Sequence, residues 1–529
     1  MHSVSSMIIR CLCFLLLTLA LSTEGYATDA PEITLRGDND LGEFESEGLS
    51  LERLSIIVEV QSGLAQVSLS ATLRNETEDD VEASFAYPLP EGAVINGYAL
   101  DIEGELVDGV LMPKERAETL YTDRVTASVD PGIAARTADN RYRTRIYPIS
   151  ADGGTRSVRL DFIVPVPANG LRLPLSQARP IDHISIQISG DGSDFAKTPI
   201  QNNTAENTTL SGDVFIPAAP ASAGLSHHAD EVFLTLPLAE PIKRQETAIQ
   251  SVAIIWDTSL SRDANGLPAE RKFVGDVLTA LRPEKQSLIY GADRIDFAAP
   301  YNSPAQLSAA LTRLTYDGAT NLSALLDTEQ LSRKDISPDI CLLISDGRSS
   351  VGTNQLLNLP CRVFTYSADK NSNTDWLGLL AARNNGAELS SLGARDAARL
   401  IMEAKGYHLG PNQSGEIFSA GSRHWLIMPI NRKARRLTID FQSHEQDVDL
   451  GTLPTQAHRG ASSLWGQRRM AELRAQGPSA FDAVVKTSRR YGVQGKETAF
   501  LVLEDADDYI EAKITPPQNF PNSLLVDYK

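Results

Sequence analysis

Two short segments place oxygen-bearing side chains directly after apolar runs. Asp257-Thr-Ser259-Leu-Ser261 follows Val252-Ala-Ile-Ile-Trp256, and Asp346-Gly347 follows Cys341-Leu-Leu-Ile344-Ser. Between them, Asp317-Gly-Ala-Thr320-Asn precedes an amphipathic stretch. If the apolar runs are strands of an open parallel sheet, all three segments emerge at its carboxyl edge, where such sheets bind ligands. Asp257 and Asp346 then contribute carboxylates, and Ser259, Ser261 and Thr320 contribute hydroxyls. Hard oxygen donors of low total charge, with room for water, suit Mg²⁺ better than a soft metal, with Mn²⁺ and Ca²⁺ as alternatives. The competing reading is architectural: the aspartates cap helices and the hydroxyls satisfy turn amides.

Loops of this kind need a doubly wound α/β domain beneath them, and residues 248–405 read as one. Val252–Trp256, Leu288–Tyr290, Cys341–Ile344 and Val363–Tyr366 are short, continuously apolar runs, the pattern of strands buried on both faces. Amphipathic stretches at Ala269–Leu281, Ala305–Leu314 and Asn321–Leu331 alternate with them. Cys341 and Cys361 stand at the start of two of these β-rich segments. Neighbouring parallel strands would bring them within bonding range, so they are either a disulfide or two buried thiols.

Upstream the period is two. Ala65, Val67, Leu69, Ala71 and Leu73 alternate with Gln66, Ser68, Ser70, Thr72 and Arg74, and Val158, Leu160, Phe162 and Val164 repeat the pattern. These are half-buried antiparallel strands, with turns at Asn75–Asp80 and Ala151–Gly154 and one helix opening at Pro113. Residues 35–166 therefore read as a β-sandwich with a helical insertion. Residues 167–247 read as a loop-rich β connecting region, with His227-His228 in a loop. Residues 406–529 read as a β/helix region with an Arg-rich helix near Leu464–Leu473 and a strand at Ala499–Leu503. The α/β domain is expected as an insertion in this β-rich body.

Phe85-Ala-Tyr-Pro-Leu-Pro-Glu-Gly-Ala-Val-Ile-Asn-Gly-Tyr98, Val107-Asp-Gly-Val110 and Lys114-Glu-Arg-Ala-Glu-Thr-Leu-Tyr121 resemble the VIT domain of vault proteins and inter-alpha-trypsin inhibitor heavy chains. The resemblance implies a β-sandwich without catalytic residues, usually placed before a von Willebrand type A domain. The Asp-x-Ser-x-Ser, Thr and Asp pattern in turn resembles the metal-ion-dependent adhesion site of that second domain, and all five positions match. By that resemblance Ser259, Ser261 and Thr320 contact the metal through hydroxyls, and Asp257 and Asp346 act largely through bridging waters. A cation held mainly by neutral hydroxyls stays electrophilic, so the expected function is binding an Asp or Glu carboxylate of a protein or matrix partner. Arg262 departs from the family pattern; its charge either weakens metal affinity or helps to hold an anion. The heavy chains' polysaccharide attachment is not carried over, because no Asp-Pro-His-Phe stretch occurs.

Other functions fit the chain less well. The 49 Lys+Arg against 68 Asp+Glu, a net charge of -19, oppose nucleic-acid binding, which needs a basic face. No Gly-x-Ser-x-Gly or His-Glu-x-x-His occurs, and Gly492-Val-Gln-Gly495-Lys496-Glu497 departs from a phosphate loop and reads as a turn. A Mg²⁺-dependent hydrolase at Asp257 and Asp346 lacks a candidate base, and a structural scaffold without metal is the other alternative. Residues 1–27 have the charge, apolar core and small-residue end of an export signal, and no later segment is long and apolar enough to span a bilayer. The expected location is periplasmic or secreted. Asn321-Leu-Ser323 is a glycosylation sequon beside Thr320, where a glycan would obstruct the site, so the expected member is bacterial.

Overall fold

The computed structural model describes residues 33–521, apart from 40–41, 45–47, 91, 127–130, 138–139, 177–178, 191–202, 210–212, 219–220, 239–248, 263–265, 352–355, 370–371, 391, 404–408, 410–414, 421–422 and 442–443. The export signal expected over 1–27 lies outside the described residues. Among these residues no helix is long and apolar enough to cross a membrane.

The alternating segment Leu64–Asn75 is a strand whose apolar members are buried and whose polar members are half-buried. It pairs antiparallel with Leu49–Gln61 on one side and Thr155–Pro165 on the other. Their sheet and a second one, seven strands each among the described residues, share one apolar core, across which Tyr87 stacks on Phe162 at 5.7 Å. Buried Asn75 anchors the turn that follows, its amide donating to the carbonyls of Asp79 and Ile149 at 2.8 and 2.9 Å. The inserted helix, Lys114–Thr126, buries Ala117 and Tyr121 against the sandwich.

Residues from well outside 35–166 complete these sheets. Ile181–Gly190 pairs in parallel with Leu49–Gln61, burying Ile181, Ile184, Ile186 and Ile188. Thr498–Val502 lies between Val110–Pro113 and Gly132–Arg136. His227 and His228, expected in a loop, instead end the strand Gly224–His228, where the His228 ring stacks on Tyr491. The next strand, Glu231–Leu238, pairs antiparallel with Arg423–Ile430, so the chain leaves and re-enters one sheet around the intervening α/β unit.

That unit has five strands in the order Ile295–Tyr301, Lys285–Gly291, Ser251–Asp257, Ile340–Ile344, Arg362–Tyr366. The last four are parallel, as expected of a doubly wound sheet, but Ile295–Tyr301 is an antiparallel edge strand. Its half-exposed residues and Pro300 suit an edge and carry no continuous apolar run. Alternate residues bury opposite faces: Val252, Ile254 and Trp256 against Val274, Leu307 and Ile401, and Ala253 and Ile255 against Leu325, Trp376 and Leu380. Asn321–Leu331 is two short helices, Leu322–Leu325 and Thr328–Leu331, because Asp327 caps the second with a 2.8 Å bond from Glu329 N. Cys341 and Cys361 are disulfide-bonded, their Cα atoms 5.8 Å apart.

The Arg-rich helix, Gly460–Ala475, joins the two parts. Ala475 packs into the α/β core, and Arg474 pairs with Asp375 at 3.2 Å and Glu497 at 3.0 Å. Lys496 reaches Asp375 at 3.4 Å from the turn closed by Thr498 N and Gly495 O, an architectural use of the phosphate-loop-like segment.

Candidate functional site

Strand order reverses at Ser251–Asp257. Its successor, Lys285–Gly291, lies on one side, and the strand after the excursion, Ile340–Ile344, lies on the other. Side chains at the carboxyl ends of these two central strands face the crevice that such a reversal opens. Asp257 is the last residue of the first, and Asp346 stands two beyond the second.

The two carboxylates are built alike. Asp257 Oδ1 accepts from Ser259 N at 2.9 Å and Oδ2 from the Ser345 hydroxyl at 2.7 Å. Asp346 Oδ1 accepts from Arg348 N at 2.9 Å and Oδ2 from the Ser261 hydroxyl at 2.8 Å. Each acid thus holds its own loop with one oxygen and the neighbouring loop with the other. Ser259 Oγ lies 3.2 Å from Ser261 Oγ, so Ser259, Ser261 and Asp346 form one hydrogen-bonded chain next to Asp257. Thr320 is fastened beside them through its main chain: its N donates to Ser350 Oγ at 2.8 Å and its O accepts from Ser350 N and Val351 N. Leu260 N to Gly318 O and Asp317 N to Thr258 O tie its loop to the serine motif at 3.1 and 3.0 Å. Among the described residues the Thr320 hydroxyl is not bonded into the cluster.

The architectural reading of these residues holds in part. Both aspartates make the short turns expected of Asx residues, yet neither is a helix cap; that role falls to Asn373, whose side chain caps Thr374–Arg383 and whose N bonds Asp346 O at 2.7 Å. Gly347 allows this approach. Its φ is +71°, and a Cβ there would lie 2.9 Å from Asn373 O.

Arg262 does not face the crevice as a ligand-holding cation. Its guanidinium pairs with Glu270, with side-chain exposures of 1% and 2%, and Glu270 Oε1 also accepts from Ala368 N at 2.9 Å. The pair braces the serine loop against the Leu267–Leu281 helix and the end of the Arg362–Tyr366 strand. Removing one partner strands a buried charge, so Arg262→Met should cost about 3–5 kcal/mol, and the double variant with Glu270→Met substantially less. Urea unfolding checks this; a double variant as unstable as the single one would show that the charges are not coupled.

Among the described residues, Asp257, Asp346 and Glu270 are buried together with one guanidinium, an excess of two carboxyl groups over buried cations. Burial pushes the Asp257 carboxyl above its usual range, opposed by the Ser259 hydroxyl and by Arg262. The donors fit a hard divalent cation: all are oxygens, hydroxyls outnumber carboxylates, and one such ion balances the surplus. Among the described residues no three His, Cys, Asp or Glu side chains converge as a metal set, so hydroxyls would have to complete the coordination. The sequence reading missed Asn373 and Glu270, and gave Ser345 only as part of the Ser345-Asp346-Gly347 turn, without its bond to Asp257. Glu270 had a signal, since it occupies the apolar stripe of its helix with Leu267, Val274 and Val277.

No curated protein matches the chain. Among solved structures, a provisionally named nutrient binding protein from Legionella pneumophila shares 10% identity over 35% of this chain and 72% of its own, with a TM-score of 0.21. Native yeast LTA4 hydrolase shares 11% identity over 32% of this chain and 28% of its own, with a TM-score of 0.18. Both likenesses are too slight to bear on fold or function. Residues 51–162, the greater part of the first sandwich, match the vault protein inter-alpha-trypsin (VIT) family model, and that part of the chain is a VIT domain.

Proposed function

We propose that the chain is an exported binding protein that captures an acidic group of a protein or matrix partner through a divalent cation at Asp257, Ser259, Ser261, Thr320 and Asp346. The observation that carries this reading is the pair of buried carboxyl groups, Asp257 and Asp346, at a sheet crevice and linked to the motif hydroxyls. A VIT domain is consistent with a binding or adhesion protein, and the α/β unit is read as a von Willebrand type A domain. Ser259, Ser261 and Thr320 are assigned as hydroxyl donors. Asp257 and Asp346 hold the negative charge and, through Ser345 and Ser261, fix the two loops against each other. Mg²⁺ bound there supplies an electrophilic position for a carboxylate. The reading is binding, not turnover, because among the described residues both carboxylates of the cluster are assigned to holding the loops and the cation, which leaves no further group there as a base.

The test is calorimetric titration of Mg²⁺, Mn²⁺ and Ca²⁺ into residues 28–529, alongside Asp257→Asn and Asp346→Asn. One saturable cation per chain is expected, with affinity at least ~100-fold weaker in both variants, equivalent to ~2.7 kcal/mol. Absence of binding in the wild type would leave the residues as loop architecture.

A further inference from the structure

The loops that carry the oxygen cluster also hold large apolar side chains in solvent. Leu260, between the two motif serines, is 71% exposed, and Val351, five residues beyond Asp346, is 42% exposed. Neither sits on a loose tip. Leu260 N donates to Gly318 O and Val351 N to Thr320 O, both at 3.1 Å, so two separate loops fix them to the segment bearing Thr320. Their main-chain anchor points, Gly318 O and Thr320 O, are two residues apart in sequence, within about 7 Å. Arg348 is exposed between Asp346 and Val351, its N held by Asp346 Oδ1 at 2.9 Å. Among the described residues its guanidinium has no carboxylate partner.

Single exposed apolar residues are ordinary, and one alone would carry nothing. Here two are carried on the loops that hold the oxygen cluster, and the exposed Arg348 is on one of those loops, a combination of apolar and charged contacts that specific interfaces use. Charge complementarity selects the occupant. A bound divalent cation and Arg348 both favour anions, whereas Leu260 and Val351 favour an apolar neighbour.

We propose that the partner is recognised as an extended acidic-apolar protein segment. Its carboxylate lies at the cation, an aliphatic or aromatic side chain one or two positions away rests on Leu260 and Val351, and Arg348 takes a second carboxylate. This rests on the cation-site reading above and adds the chemistry that would separate this partner from any other acidic surface.

The experiment is selection from a displayed random nonapeptide library on residues 28–529 in Mg²⁺, with elution by EDTA. Enriched peptides should carry Asp or Glu with an aliphatic or aromatic residue within two positions. Their affinity should fall at least ~10-fold on Leu260→Ser/Val351→Ser and more modestly on Arg348→Ser, while calorimetric Mg²⁺ affinity stays at the wild-type value. Acidic peptides enriched without an apolar preference, no enrichment at all, or binding indifferent to the rim variants would each overturn the proposal while Mg²⁺ still binds. Loss of Mg²⁺ binding in the wild type would instead remove the cation reading beneath it.

Discussion

Saturating Mg²⁺ should raise the unfolding midpoint of the wild-type chain and leave those of Asp257→Asn and Asp346→Asn unmoved. A ligand that binds only the folded state stabilises it by RT ln(1 + [L]/Kd), about 2.7 kcal/mol at a hundred times Kd. For an α/β unit of some 150 residues that is a rise of several degrees in its transition. The variants carry a second, less intuitive expectation. Without metal each should be at least as stable as wild type, since each removes a carboxylate whose charged form is disfavoured by burial at the crevice. Asparagine can keep both bonds at position 257: its oxygen accepts from Ser259 N, and its amide donates to the Ser345 hydroxyl once that hydroxyl rotates. Stabilisation without metal combined with loss of the Mg²⁺ response separates a cation site from a structural turn, for which losing the carboxylate brings only loss. Thermal scans in Mg²⁺ and in EDTA measure both halves, and a metal-independent midpoint in the wild type would refute the first.

The largest stability effect is expected at the strand that closes the first sandwich. Leu501 is 1% exposed and lies between Val110 and Ile133 on the two flanking strands. Leu501→Ala should cost about 2–5 kcal/mol through lost burial and the cavity left behind. Leu501→Asp also places a carboxylate with no partner in the apolar core, and should exceed ~4 kcal/mol, a large share of the 5–15 kcal/mol that holds a domain together. Urea unfolding followed by near-ultraviolet circular dichroism would show the alanine variant with a lowered midpoint and the aspartate variant largely unfolded in buffer. An aspartate variant with a wild-type midpoint would mean that this strand contributes little to the sheet.

The local features of this architecture were readable because their signals are short-range. Strict alternation from Ala65 to Leu73 marks a half-buried strand, and the apolar runs before Asp257 and Asp346 mark strands buried on both faces. The site aspartates were visible for the same reason, since each follows its run closely. What escaped was set by distant partners. Five residues at Thr498–Val502 do not announce that they will insert between strands nearly 400 positions earlier. Gly224–His228 ends in two histidines that look solvated, yet the strand is fixed by pairing with Glu231–Leu238. The edge strand Ile295–Tyr301 lacks the run that betrays its neighbours. Arg262 looked like a free cation beside the site because its partner, Glu270, is on the next helix and nothing in the spacing links them.

The position of Thr498–Val502 also sets an order of events during synthesis. Its neighbours in the sheet end at Arg136, so a growing chain must make some 360 further residues before the strand that belongs between them exists. At ordinary elongation rates that interval is on the order of tens of seconds. Throughout it, Leu111, Met112, Ile133 and Ala134, all buried in the finished molecule, border an unfilled gap. The first module begun is therefore among the last completed, and a nascent or truncated chain displays an apolar opening that a full-length one conceals. That makes closure of the sheet a mark of a finished chain, open to any holdase or protease that reads exposed apolar strands.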